Sequence, residues 1–319
     1  MNHQSPIENP DAQALLNQLV IEHLREQKRK RFWRKMKYIG VLLFVLYVAY
    51  LLSAMRNGAL DVRSKPHVGV IELSGAMGAD HPVAAENFIK SLKKAYKSEG
   101  LKALILRIDS PGGSPVHADY MYDAVRYYHQ KYPNIKTYAV CVDMCASAAY
   151  YVAAAADEIY ANPASLVGSI GVIYNGFGFV DTMQKLGVSR RLQTAGRNKG
   201  FLDQFSPVNP AQEKTLQTML DLIHQQFIDK VKEGRGARLK VDEDTFSGLI
   251  WTGTQAKERG LIDGFASSDQ LARDTIKIEQ TVDYTDKKNV FEQVAKRIGT
   301  TMVNQLPVAF GMQQGIASR

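Results

Sequence analysis

The chain has 319 residues, 45% of them hydrophobic, enough to bury a sizeable core in one large or two modest domains. Its formal charge is +8, but residues 25–37 alone contribute +7 and residues 1–24 contribute −3, which leaves only +4 over the other 282 residues and argues against a nucleic-acid footprint on the globular part. Two cysteines, Cys141 and Cys145, are too few for a disulfide scaffold.

Residues 1–24 are polar and lack Lys and Arg. Leu15, Leu16, Leu19, Val20 and Leu24 recur at helical spacing, as a short helix lying on something or as a frayed tail. A basic block follows, Lys28-Arg29-Lys30-Arg31 with Arg34, Lys35 and Lys37. Immediately after it, Tyr38 to Met55 holds no charged residue. A bilayer core takes about 20 apolar residues, so this run predicts a membrane-spanning helix. Trp33, Tyr38, Tyr47 and Tyr50 suit its interfacial ends. Basic flanks stay cytoplasmic, so the tail is expected inside and the large C-terminal part outside. A cleaved signal peptide is the competing reading. Its charged region would be unusually long and no small-x-small site follows, so an uncleaved anchor is expected. The resulting organisation is a cytoplasmic tail at 1–37, a span at 38–55, a linker at 56–66, the main domain at 67–280 and a C-terminal extension at 281–319.

From Pro66 onward apolar runs alternate with helical patterns. Strands are predicted at Val68–Leu73, Ala103–Ile108, Thr137–Val142 and Glu158–Ala161, with helices at Val83–Lys97 and Val116–Gln130. That alternation implies crossover units and a mainly parallel sheet, an α/β fold. Asn209 as N-cap and Pro210 at the first position open a long helix that Gly234 and Gly236 stop. A short helix is predicted at Thr254–Arg259, closed by Gly260, and an amphipathic stretch near Val290–Ile298.

Four segments carry possible chemistry. The strand Thr137–Val142 leads into an alanine-rich stretch, Asp143 to Asp157, that reads as a helix. Ser147 then lies in the first turn, where unpaired N–H groups and a partial positive charge suit a nucleophile that generates an oxyanion. Read alone, it is as well explained as a small serine packed among alanines. Asp109-Ser110-Pro111-Gly112-Gly113-Ser114 follows a strand, and its two glycines let backbone N–H groups approach a ligand. Neither G-x-x-x-x-G-K-[ST] nor a G-x-G-x-x-G after a strand is present, which argues against a phosphate loop. Gly168-Ser169-Ile170-Gly171-Val172 is a second glycine-bracketed loop. Ala195 to Asp203 places Lys199 in a third, where alone it reads as a solvated charge. A serine nucleophile needs a base. No histidine sits in a partner motif and no G-x-S-x-G elbow occurs. A neutral lysine is the other base known in serine hydrolases.

Taken together, these pieces resemble the signal peptide peptidase A family of membrane-anchored Ser–Lys peptidases. The resemblance runs from about Val68 to Phe265 and rests on five segments in the family's order. They are Asp109–Gly113, Ala146-Ser147 with Tyr150-Tyr151-Val152-Ala153, Gly168–Val172, Gly196 with Lys199, and Trp251-Thr252-Gly253 with Ala256 and Gly260-Leu261-Ile262-Asp263. It implies a Clp-protease/crotonase-like fold, Ser147 as nucleophile, Lys199 as general base, the N–H groups of Gly113 and Ala148 as oxyanion hole, and Ser169 orienting Lys199. No metal or organic cofactor is expected. The expected partners are peptide substrates, the bilayer and further copies of the chain in a ring, with no nucleic acid. The family usually has Ser-Gly-Gly-Tyr-Tyr where this chain has Ser147-Ala148-Ala149-Tyr150-Tyr151, and two added methyls would narrow a substrate pocket. Two rivals remain: a crotonase-like acyl-CoA enzyme, disfavoured outside the cytoplasm, and a catalytically inactive membrane scaffold of the same fold.

Overall fold

The structure is a computed structural model that describes residues 10–286, with side chains in the first helix described at 25–51, 53 and 63–64. Contacts divide the chain at residue 62 into two units. The first is built from helix α1, Pro10–Ser64. The linker expected at 56–66 is thus helical through Ser64. Among the described residues no helix is long and apolar enough to cross a membrane; the expected span at 38–55 runs past Leu51 into side chains outside the description. The side chains of the amphipathic stretch 12–24 and the whole of 290–298 also lie outside it.

The second unit is a three-layer α/β domain around an eight-stranded sheet. Its strands are β1 (His67–Ser74), β2 (Leu101–Ser110), β3 (Lys136–Ala146), β4 (Glu158–Ala161), β5 (Leu166–Gly168), β6 (Ile250–Thr252), β7 (Gly264–Phe265) and β8 (Thr281–Asp283). The main path runs β6-β5-β3-β2-β1-β8, with β4 beside β3 and β7 beside β4. Every pairing is parallel except β5 with β6. The helices of this domain include α2 (Ala85–Tyr96), α3 (Pro115–Lys131), α4 (Ala148–Ala153), α5 (Val180–Lys185), α6 (Pro210–Arg235) and α7 (Gly253–Glu258).

A strand buried on both faces reads as a nearly continuous apolar run. Leu104, Ile105 and Leu106 in β2 are all fully buried. Leu104 and Leu106 join Ile71, Leu73 and Ala139 under the helices α2, α3 and α4, and Ile105 joins Val68, Ala103, Tyr138 and Val140 on the other face, covered by Leu271 and Ala272. Complete burial of each such side chain is worth about 1.5–3 kcal/mol.

The structure departs from the sequence reading in three places. β8 pairs with β1, and Tyr284 just beyond it is buried, so the folded domain continues past residue 280 to at least 286. β3 continues through Ala146, and α4 is six residues long rather than the alanine run's full length, because Ala154, Ala155 and Ala156 are buried in the turn that leads to β4. β5, β6 and β7 have two or three residues each, too short for an alternating pattern to be seen.

Candidate active site

The C-terminal ends of β2 and β3 carry two loops that meet. β3 ends at Ala146 and α4 begins at Ala148, so Ser147 is the hinge between them, at the N-cap rather than inside the first turn. Its backbone is left-handed, φ 55° and ψ −125°. A non-glycine residue there costs on the order of 1–3 kcal/mol and persists only where its surroundings over-determine it. The surroundings do so here. The Ser147 N–H donates to the carbonyl of Gly168 at 2.8 Å, and its own carbonyl accepts from the N–H of Tyr151 at 3.0 Å. The turn throws the Ser147 side chain outward, half-buried, while Ala146, Ala148 and Ala149 stay in the core.

The loop after β2 lies against this turn. A Cβ on Gly112 would stand 2.8 Å from the Ala146 carbonyl and 2.9 Å from the Ala148 nitrogen, so only glycine allows that approach. Gly113, at φ 149°, bridges to Met77 through its neighbours: the Met77 N–H donates to Gly112 O, and the Ser114 N–H donates to Met77 O, each at 2.9 Å. That pattern leaves the Gly113 N–H out. The Ala148 N–H, first in α4, has no helical acceptor either. Among the described residues neither donor meets a partner, and the two flank Ser147. Ser114 caps α3, accepting from the His117 N–H, and Asp109 Oδ1 accepts from the Met144 N–H at 3.2 Å, which ties the two loops together.

Gly113, Ser147 and Ala148 open onto a cavity of about 370 Å³. Val116 and Tyr120 of α3, Val172 and Ile173 of the loop after β5, and Ile223 and Phe227 of α6 supply its apolar walls. Ala148 lines the cavity, whereas Ala149 is fully buried in the core, so only one of the two added methyls reaches the pocket. A larger cleft of about 800 Å³ lies over the opposite face of the sheet, beside the Arg107–Glu72 ion pair, and does not include the Ser147 turn.

The remaining expected residues are placed differently. Ser169 follows β5 at φ 51°; its N–H donates to Leu249 O at 2.8 Å, and it does not line the cavity. Lys199 sits in a turn closed by its N–H to Gly196 O at 3.0 Å. Its side chain is exposed and is not part of the cavity lining in the single chain. Asp203, the nearby carboxylate, is engaged elsewhere: it accepts from Ser206 Oγ at 2.7 Å and pairs with Arg190. The Ser206 hydroxyl, then Arg190 and backbone N–H groups, outweigh desolvation and hold that carboxyl below its ordinary value. Tyr151, part of the motif after Ser147, lines the cavity, as do Asp119 and Gln226, which the sequence does not mark. Their only signal there is a helical position on elements that the fold brings together.

Residues 129–283 match the model of Peptidase family S49. Among known proteins, the chain is 43% identical over 187 residues to a Na(+)/H(+) antiporter NhaA of Brucella abortus, covering 58% of this chain and 25% of that protein. It is 31% identical over 182 residues to the chloroplastic serine protease SPPA of Arabidopsis thaliana, 57% of this chain and 26% of that one. It is 32% identical over 200 residues to a Synechocystis sp. protein named as a protease, 63% of this chain and 70% of the other. The chain thus spans about a quarter of the length of the Brucella and Arabidopsis proteins.

Proposed function

The chain belongs to peptidase family S49, the family of the signal peptide peptidase A type proteins, and from that premise we propose a membrane-anchored serine endopeptidase with a Ser147–Lys199 dyad that cuts apolar peptides outside the cytoplasm. The observation that carries this reading is the pair of unsatisfied N–H groups, Gly113 and Ala148, on either side of a strained, outward-turned serine at the mouth of a largely apolar cavity. Donors aimed where charge develops are worth far more in a water-poor site than in bulk water.

In the proposed reaction Ser147 Oγ attacks the peptide carbonyl and Lys199 Nζ takes its proton. The two N–H groups hold the oxyanion. Lys199 returns a proton to the leaving amine, and water then cleaves the ester on Ser147. Burial disfavours a charged amine, so Lys199 has to be covered on assembly to act as the base. The segment between β5 and α6 favours assembly. Its apolar residues Ile173, Phe177 and Leu186 are 85%, 72% and 72% exposed, a surface of the kind that another copy of the chain covers. We assign the working form as a homo-oligomeric ring on that basis. Ser169, which follows β5 as Ser147 follows the paired strand β3, would then orient the lysine.

The membrane anchor rests on 38–51, where no residue is charged. Val41 to Leu46 are all more than half exposed and turn to every side of α1. Together with the basic flank, this supports a single span with the N-terminus cytoplasmic.

A serine-directed fluorophosphonate probe tests the enzyme reading on the full chain in detergent. Labelling that Ser147→Ala abolishes is the expected result. Absence of labelling in the assembled protein would favour the inactive scaffold instead.

A further inference from the structure

The cavity beside Ser147 is not apolar throughout. On its wall, between α3, α4 and α6, lies the carboxylate of Asp119. Tyr151 OH donates to Asp119 Oδ1 at 2.7 Å, and Gln226 Nε2 donates to Tyr151 OH at 3.3 Å. The side chain of Asp119 is 25% exposed, so the carboxylate is neither sealed in the core nor free in solvent. Among the described residues no hydrogen bond reaches its Oδ2.

The neighbouring charges do not neutralise it. Lys230 Nζ stands 3.8 Å from Asp119 Oδ1 but only 2.7 Å from Asp123 Oδ1. It also lies over the Tyr122 ring, 4.5 Å from its centroid. One ammonium therefore serves two carboxylates and is drawn toward Asp123, the more exposed one. The net charge of this trio is negative. Tyr151 is held by its ring contacts with Tyr122 and Phe227, so its hydroxyl cannot turn away from Asp119 without disturbing the core.

Resting on the peptidase reading, we propose that Asp119 is a specificity-determining residue, which makes this cavity a subsite for a substrate side chain with an aliphatic stem and a cationic tip. Val116, Ile223 and Phe227 take the methylenes of such a side chain, and Asp119 takes the tip. Lysine and arginine fit that description. Glutamate does not, because its carboxylate would face a second carboxylate in a partly desolvated pocket, where like charges repel strongly. A peptide that is apolar overall and carries one basic residue is the class of substrate favoured.

The test uses the full chain in detergent and a peptide series on one apolar frame. Lys, norleucine (its uncharged analogue without the amine), Gln or Glu is placed at each position around the scissile bond. At one position kcat/KM should be about tenfold or more higher for Lys than for Glu, the size of one desolvated charge contact. In Asp119→Asn the Lys-to-norleucine ratio at that position should fall about tenfold and the Glu-to-Gln ratio should rise. The unaltered protein provides a second measure, because raising the salt concentration should lower its Lys-to-norleucine ratio. Cleavage with equal rates for Lys and Glu at every position, or ratios unmoved by Asp119→Asn in a variant that still cleaves, would overturn the subsite. Failure to cleave any peptide, with no fluorophosphonate labelling, would count against the peptidase reading itself.

Discussion

Ser147 and Gly113 occupy backbone conformations that most residues avoid, and their neighbours show why. A Cβ on Gly113 would stand 2.2 Å from the Met77 carbonyl oxygen, so Gly113→Ala must push the loop away from β1's end. The Gly113 N–H would leave its position beside Ser147. Loss of one oxyanion donor costs about 10²–10³ in kcat, and that is the expected loss in peptide turnover for a variant that still folds. Ser147→Ala and Lys199→Ala should each remove nearly all turnover. The double variant should be little worse, because nucleophile and base act as one unit. Lys199→Arg should be as inactive, since a guanidinium does not give up its proton. Near-normal cleavage by Lys199→Ala at pH 8, with Ser147→Ala inactive, would break the dyad.

Helix α6 is the element that ties the cavity wall to the core. Its N-terminal end is capped by Asn209, whose Oδ1 accepts from the Ala211 N–H, and its C-terminal end is held by Arg235. Arg235 is buried, its side chain fully enclosed, and forms a two-pronged pair with Asp263 at 2.8 and 2.9 Å, with Nε donating to Gly260 O. Burial alone would raise the Asp263 carboxyl, but the hydrogen bonds from Arg235 and the Ile159 N–H outweigh it and hold the group below its ordinary value. The folded state therefore favours the ionised form. Its stabilising effect is complete above the unfolded carboxylate value of about 3.9 and is lost as pH falls through the lower folded value. Asp263→Asn strands a buried guanidinium and should cost about 3–5 kcal/mol in chemical denaturation at pH 7. Its stability should also fall less steeply than the parent's as pH drops below about 4. A parent and a variant with parallel pH profiles would show that the pair contributes no linkage.

For the molecule as a whole, the proposed topology, read from the charge asymmetry across 38–55, expects the C-terminal domain outside the cytoplasm. A phosphatase reporter fused after Arg319 should be active, and a reporter that works only in the cytoplasm should be silent at the same junction. The opposite result would reverse the topology. Assembly is expected to be closed and rotational, since that is how identical subunits bury a shared surface without open ends. Sedimentation of the detergent-solubilised chain should show several copies. Replacing Phe177 and Leu186 by Asp should reduce that number and, by leaving Lys199 in water, reduce turnover with it.

Local chemistry was enough for some of this architecture. The apolar runs in β1, β2 and β3 announce strands of a parallel sheet because both faces are buried along their central residues, and polar residues such as Glu72 and Arg107 fall where a strand is only half-buried. Asn209 with Pro210 marks the start of α6 because capping is decided within one turn of chain. The glycine pair at 112–113 and the serine after a strand were legible as a place where backbone approaches a ligand. What the sequence could not supply depends on residues far apart in the chain. The two- and three-residue strands β5 to β8 exist only because an edge is already there to pair with. The end of α4 at Ala153 is set by the packing of Ala154–Ala156, not by helix propensity, which alanine satisfies throughout. Asp119 and Gln226 read as ordinary polar positions on α3 and α6 until Tyr151 is placed between them. Lys199, a solvated charge by its loop alone and a base only by the family resemblance, is exposed in the single chain. The surroundings of its amine are decided by tertiary and higher contacts, because desolvation is a property of what covers a side chain and not of its neighbours in sequence.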